Sequence, residues 1–485
     1  MNSITQIKEK NSVFSKCVDV DIDFQESLMS YQDDILKIIR CNVLNNVTNT
    51  DFDKGTLTVY GQTKICITYV SEATSCITTA DFDEDFKKVI QIDCDCDDVN
   101  CDVILTDKYN NYRIVNQRRI DVHCCFTLNI NGICVKQIEM FDSGKNLMVK
   151  KDAINYFSFV GFNFAKAEFE EDVVIPSDSS VVKKIINTFY SVSIDDIKII
   201  KDKMLIKFIV DFSFLYTTDT ETEEIKRCEK ILNLSKIIDI NGIDDGDIPL
   251  INSKLSYVYV KPKADVNNEL RVIDVAGELY IHTSVYRSVE SVFSFDSYSP
   301  LFLTENTFDK IQLNTDGTFV NDTFSDNTLF EFDNVNIVEI LDLNLRIDKE
   351  NELILSAYII DESSKIVFIS QKKEITLGDF KNISCFIKSF DYVIKSPTSI
   401  SIRYSLEYSA VNYKQTDIKV LTSVDNKGNF EKDTPTLIVY FAKPGENLWD
   451  IAKKFRSSSD LIKKENNINE DVIIGNSRVL LIPGV

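Results

Sequence analysis

The stretch Leu57-Thr58-Val59-Tyr60-Gly61-Gln62-Thr63-Lys64-Ile65-Cys66-Ile67-Thr68-Tyr69 alternates with a period of two, as a strand with one buried face must. Gly61 interrupts it and marks a bulge or a close backbone approach. The same construction returns 147 positions later as Met204-Leu205-Ile206-Lys207-Phe208-Ile209-Val210-Asp211-Phe212-Ser213-Phe214-Leu215-Tyr216. Upstream, Lys37-Ile38-Ile39 returns at the same offset as Lys184-Ile185-Ile186. Downstream, Lys88-Val89-Ile90-Gln91-Ile92 reappears as Lys236-Ile237-Ile238-Asp239-Ile240, and Ile120-Asp121-Val122 as Ile273-Asp274-Val275. Four landmarks in one order with a slowly drifting offset indicate a duplicated domain, with a unit too long for a solenoid repeat.

Each copy reads as a short opening helix or turn followed by strands. In the first copy the helix candidate is Asp33-Asp34-Ile35-Leu36-Lys37-Ile38-Ile39, with acids where a helix N-terminus favours them. Before it, Val18-Asp19-Val20-Asp21-Ile22-Asp23-Phe24 alternates with one acidic face, which suits an edge strand or a solvated face. The stretch 288–333, rich in Ser, Asp, Asn, Thr and Phe, reads as a linker. A third β-rich unit follows over 334–412, with Leu353-Ile354-Leu355-Ser356-Ala357-Tyr358-Ile359-Ile360 and Ser399-Ile400-Ser401-Ile402-Arg403-Tyr404 as its strands. Its landmarks are too faint to decide between a shortened copy and an unrelated unit, and the pattern does not choose between sandwiches and barrels. The expected organisation is a β-rich unit at 1–155, a second at 156–287, the linker 288–333, the third unit at 334–412, a linker at 413–435 and a small module at 436–485.

Composition narrows the function. The 485 residues are more than one core can serve, and 54 basic against 76 acidic side chains leave a formal charge of −22. That argues against a general nucleic-acid binder, which needs clustered Lys and Arg, and disfavours anionic lipid. The charge is uneven: the module at 436–485 holds seven basic and six acidic residues, so the acidity belongs to the β-rich body. No apolar run reaches the length of a membrane span, and the first residues have no apolar core of a secretory signal. The expectation is a cytoplasmic protein without membrane insertion.

Twelve cysteines in such a chain read as reduced thiols. Cys94, Cys96 and Cys101 form the tightest group, but C-x-C-x4-C lacks the paired C-x2-C knuckles and nearby His of a zinc site. They read as small strand residues. The two histidines, His123 and His282, lie in β-like stretches outside any nucleophile or metal motif. No P-loop, nucleophile elbow, H-E-x-x-H or dinucleotide fingerprint occurs. The expectation is no enzyme, no cofactor and no metal.

The module at 436–485 has a different texture. Thr436-Leu437-Ile438-Val439-Tyr440-Phe441-Ala442 is an apolar strand stopped by Lys443-Pro444-Gly445. A helix over 447–455 follows, with Leu448, Ile451, Ala452 and Phe455 on one face. Ser458 or Ser459 can cap a second helix over 460–465, and Val479-Leu480-Leu481-Ile482-Pro483 closes a βααβ unit. The sole tryptophan, Trp449, reads either as a half-buried packing residue or as a partner-facing anchor.

Lys443-Pro444-Gly445-Glu446-Asn447-Leu448-Trp449-Asp450-Ile451-Ala452, Leu461-Ile462-Lys463-Lys464-Glu465-Asn466-Asn467, Gly475 and Leu480-Leu481-Ile482-Pro483 closely resemble a LysM domain. The resemblance implies a shallow groove for N-acetylglucosamine-containing glycans, in which Gly445, Glu446, Asn447 and Leu448 face Asn467, Ile473, Ile474 and Gly475. Lys443, Pro444 and Trp449 complete the candidate partner-binding set. This chain has Gly-Glu-Asn where the family commonly has Gly-Asp-Thr, which removes a hydroxyl from the groove edge. Duplicated β-rich units ahead of a LysM module resemble the SPOCS-domain, SipL-type spore-coat morphogenetic proteins. That resemblance implies a mainly β chain of tandem SPOCS-like domains and a small α+β LysM domain. It further implies a non-enzymatic adaptor in the mother-cell cytoplasm at the forespore surface. Its partners would be a coat ATPase of the SpoIVA type and other coat proteins, met through the LysM module. The alternative is a cell-wall-associated protein that binds peptidoglycan glycan.

Overall fold

The structure, a computed structural model, describes residues 3–74, 77–93, 99–220, 224–333, 335–347, 352–378, 380, 382–429, 436–472 and 477–484. One six-stranded plan occurs three times. The first unit comprises β1 (Ser3–Ser27), β2 (Ile35–Asp53), β3 (Thr56–Ser71), β4 (Ile77–Gln91), β5 (Val99–Asn116) and β6 (Arg119–Ser143). The second comprises β7 (Met148–Val174), β8 (Val182–Ile200), β9 (Lys203–Thr218), β10 (Ile225–Asp239), β11 (Ile248–Lys263) and β12 (Val272–Tyr298). The third comprises β13 (Phe302–Glu331), β14 (Ile337–Ile347), β15 (Glu352–Asp361), β16 (Ile366–Glu374), β17 (Asn382–Ser396) and β18 (Ser399–Asn429). In each unit the first strand pairs with the sixth and the sixth with the fifth, while the second, third and fourth form a separate meander. The two sheets face each other. In the first unit Leu57 and Val59 of β3 and Phe86 of β4 meet Val103 of β5 and Phe126 and Leu128 of β6 in one core. Each unit is thus a sandwich with side chains interdigitating between sheets.

The duplicated landmarks fall on equivalent strands: β3 and β9 are both central in their meanders, and the other three pairs lie on β2 and β8, β4 and β10, and β6 and β12. Leu57, Val59, Ile65, Ile67 and Tyr69 are buried, as are Met204, Ile206, Phe208, Val210, Phe212, Phe214 and Tyr216. Gly61 is the close approach that its position suggests: a Cβ there would lie 2.1 Å from the Phe86 ring and 2.5 Å from the Asn46 carbonyl oxygen.

The third unit repeats the plan in full. Its second strand β14 shifts register between Ile337 and Glu339 and between Ile340 and Asp342. The same double irregularity occurs at Ile35/Lys37 and Ile38/Arg40 in β2 and at Val182/Lys184 and Ile185/Asn187 in β8. The fifth strands shift at Asp107/Tyr109, Leu255/Tyr257 and Ile387/Ser389. Bulges bend a strand at a fixed place, so three matching sets identify three versions of one framework.

Three expectations are corrected. Asp33 to Ile39 is the approach to β2 and its first residues, not a helix. The paired bulges there bury Ile35 and Ile38 at a spacing of three, which mimics a helical face. The supposed linker 288–333 is the end of β12 and nearly all of β13, and β18 continues through 413–429. Along β13 only Ile311, Leu313 and Phe330 are buried, so the strand is held by its ladder to β18 rather than by an apolar face. That accounts for its weak periodicity.

The units pack on one another. Asn314 and Thr315 of β13 pair with Phe157 and Tyr156 of β7, which joins two sheets into one of six strands. Met140 from the first unit, Tyr156 and Phe293 from the second, and Ile311, Leu313 and Val420 from the third share one core. One face of β12 addresses the first unit through alternate residues: Glu278 pairs with Lys64, Tyr280 donates to Gln62, and His282 and Ser284 both bond Asp102. Between the second and third units, the fully enclosed Asp342 carboxylate pairs with Arg227 at 2.7 Å and accepts from Ser213.

Candidate functional site

The module after the third unit is built from β19 (Leu437–Ala442), α1 (Leu448–Phe455), α2 (Ser459–Asn466) and β20 (Arg478–Pro483), with β19 antiparallel to β20. Its core joins Ala442, Leu448, Ile451, Ala452, Ile462, Ile468, Leu480 and Ile482. Burying each large aliphatic side chain is worth about 1.5–3 kcal/mol. That is enough to shape a small core, but this core also takes in Tyr298 of β12 and Met148 of β7.

The turn before α1 is internally committed. Gly445 sits at φ +86°, a conformation that favours glycine. One Glu446 oxygen accepts from the Lys443 N–H at 2.9 Å and the other from the Tyr440 hydroxyl at 3.0 Å. The Lys443 N–H, more than any other group, holds the Glu446 carboxyl below its usual value. Asn447 caps α1, its side chain accepting from the Trp449 N–H at 2.8 Å, as Asn does at this position. Across the groove, Asn467 ends α2 in the left-handed region at φ 51° and is exposed. The two groove loops are tied together where the Leu448 N–H donates to the Asp471 carbonyl at 2.7 Å and Asn447 bridges Val472.

The candidate residues therefore separate. Lys443, Pro444 and Gly445 are exposed on one loop and Asn467 on the other. Leu448 is fully buried in the core. Ile473, Ile474 and Gly475 lie outside the described residues. Trp449 turns toward the second unit: its ring meets Tyr298 edge-on at 4.9 Å and its Nε1–H donates to Asp296 at 2.9 Å. Lys453 adds an ion pair to the same carboxylate at 2.7 Å, and the buried Tyr298 hydroxyl donates to the Ser457 carbonyl at 2.7 Å. Packing, the first reading of Trp449, is the role the geometry gives it, with a partner in another unit. Nothing local in the sequence marks Asp296 and Tyr298 as that partner.

A second feature was legible but unread. β19 is apolar on both faces, and the two helices cover only one of them. Leu437, Val439 and Phe441 are 48%, 56% and 72% exposed, and Val479 opposite Phe441 is 50% exposed. The result is a continuous apolar face on the module's outer side.

Elsewhere, the chemistry-bearing residues hold structure. Cys101 is buried on β5, while Cys94 and Cys96 lie outside the described residues. Burial pushes the Cys41, Cys124 and Cys385 thiols up to about 12, so they stay protonated and poorly nucleophilic. Among the described residues no group of His, Cys, Asp and Glu is placed to hold a metal ion. His123 bonds Asp23 at 2.8 Å on the acidic face of β1, and His282 bonds Asp102 at 2.6 Å between the first two units. Among the described residues no helix is long and apolar enough to cross a membrane.

Comparison with known families places two parts of the chain. Residues 181–263 match the SipL, SPOCS domain family, and residues 440–483 match the LysM domain family. Both are non-catalytic domain families. The SPOCS match spans β8 to β11, the meander and fifth strand of the second unit. The equivalent strands in the other units are β2 to β5 and β14 to β17. No curated protein and no solved structure matches the chain. The chain thus pairs a SipL SPOCS domain with a LysM domain, the make-up of a sporulation-related, SipL-type protein.

Proposed function

We propose that this protein is a non-enzymatic adaptor of spore-coat assembly. It works in the mother-cell cytoplasm at the forespore surface and docks a SpoIVA-type coat ATPase through its LysM domain. The observation that carries the docking assignment is the apolar face of Leu437, Val439, Phe441 and Val479, together with a groove loop whose Glu446 and Asn447 side chains are already engaged. Exposed contiguous apolar surface favours a protein partner, whereas a glycan needs free donors and acceptors. Three sandwich units supply further surface, and linked modules gain avidity from high effective concentration.

The second reading, binding of peptidoglycan glycan, has the LysM match and the exposed Pro444, Gly445 and Asn467 in its favour. One experiment separates the two. The purified chain is titrated with a purified SpoIVA-type ATPase and, in parallel, sedimented with insoluble peptidoglycan. Saturable binding to the ATPase without wall sedimentation supports the adaptor. Sedimentation with the wall and no ATPase binding refutes it.

A further inference from the structure

Where the three sandwich units meet, they line an open cavity of about 960 Å³, at the upper end of the usual range for small-molecule sites. Its wall takes segments of β2 and β5, β8 and β11, and β14 and β17, so the second and fifth strands of every unit reach it. In a chain of formal charge −22, this wall carries eight Lys and Arg against three Asp among the described residues.

Four of the eight cations are held by carboxylates. Arg40, Lys184 and Arg346 are not paired with any carboxylate among the described residues. They come one from each unit, on β2, β8 and β14 respectively. The Arg40 guanidinium lies 4.8 Å from the Phe368 ring centre and 5.9 Å from that of Phe189, so rings of the other two units cover it. Burial draws Arg40 below its usual pKa, and the Arg346 charge pushes the same way. Arg40 is thus desolvated within reach of the Arg346 charge, with two rings and the Tyr358 hydroxyl as its neighbours and no carboxylate paired to it among the described residues. The Asn187 side chain also lines the wall, and its buried Nδ2 has no hydrogen-bond partner. A desolvated guanidinium without a carboxylate and an idle amide donor both favour an anion that completes them.

We propose that this cavity binds a multiply charged oxyanion, a phosphate or carboxylate compound, through Arg40, Lys184 and Arg346, with the Asn187 amide as a further donor. The guanidinium fork matches both oxyanion types. A ligand held this way touches all three units at once and fastens their mutual arrangement.

The test uses the full chain in low-salt Tris and isothermal titration with inorganic pyrophosphate and with citrate. Saturable binding of either supports the site, and the stronger of the two distinguishes a phosphoryl from a carboxylate ligand. Arg40→Gln and Arg346→Gln should each weaken that binding at least tenfold. Arg346 is exposed, so its variant remains folded, which a melting curve checks. Arg403→Gln, which removes a surface pair with Asp391, should leave binding unchanged. Absence of saturable binding by both probes, or wild-type affinity in both cavity variants, overturns the proposal.

Discussion

Asp296 is the sharpest point at which to perturb the LysM domain's seat on the second unit. Its carboxylate accepts from the Trp449 indole at 2.9 Å and pairs with Lys453 at 2.7 Å. A hydrogen bond to a charged acceptor is worth about 1.5–3 kcal/mol. The Lys453 side chain is 42% exposed, so its pair is discounted to about 0.2–1 kcal/mol. Asp296→Ala should therefore weaken the seat by roughly 2–3 kcal/mol, a factor of about 30 to 150 at 1.4 kcal/mol per decade. Tyr298→Phe keeps the ring contact and loses only the bond to the Ser457 carbonyl, at a cost of about 1 kcal/mol. Because Trp449 is the sole tryptophan, fluorescence excited at the red edge, beyond tyrosine absorption, reports this contact alone. Asp296→Ala should shift emission to the red and raise acrylamide quenching, while Asp309→Ala, on the exposed face of β13, should do neither. Unchanged emission and quenching in Asp296→Ala would refute the reasoning.

Three further outcomes are expected. Phe441→Asp changes a residue that is 72% exposed. It should leave the melting temperature within a degree or two while weakening ATPase binding by about 2 kcal/mol, near thirtyfold, if the apolar face contains an anchor; undiminished binding removes that face from the docking account. Leu448→Glu places a charge at a fully buried position and should unfold the LysM domain, since an unpaired buried charge exceeds the core's worth. ATPase binding that survives it shows that the β-rich body does the docking. Arg227→Ala strips the partner from Asp342, whose carboxyl burial already pushes up. Because Arg227 is itself 39% exposed and Ser213 still donates to Asp342, the substitution should cost about 1–3 kcal/mol in urea unfolding, against under about 0.5 kcal/mol for the exposed Arg403→Ala; similar values for the two would mean that the second and third units do not rely on this pair.

The duplication was legible because β3 along most of its length, and β9 as far as Asp211, bury one face in alternation, which survives sequence drift. The third copy was obscured by β15, which is buried along both faces from Leu353 to Ile359, leaving an apolar run where the others alternate. β13 failed for the opposite reason: only Ile311, Leu313 and Phe330 are buried along it, so no apolar face had to alternate. The helix expected at Asp33 to Ile39 arose from two bulges that a periodicity argument cannot distinguish from a helical turn. In the LysM domain the elements and the core position of Leu448 follow from the sequence. The partner of Trp449 does not, because Asp296 lies 153 residues away and only the packing of two modules brings it near. The oxyanion cavity was hidden likewise: Arg40, Lys184 and Arg346 are scattered singly, and an acidic total conceals a basic junction.

The most direct measurement of the central claim is the position of a fluorescent fusion of the full chain in sporulating cells. An adaptor that docks a coat ATPase at the forespore predicts a ring at the forespore surface, dispersed by loss of that ATPase. Fluorescence along the outer wall, or a forespore ring unaffected by loss of the ATPase, would contradict it.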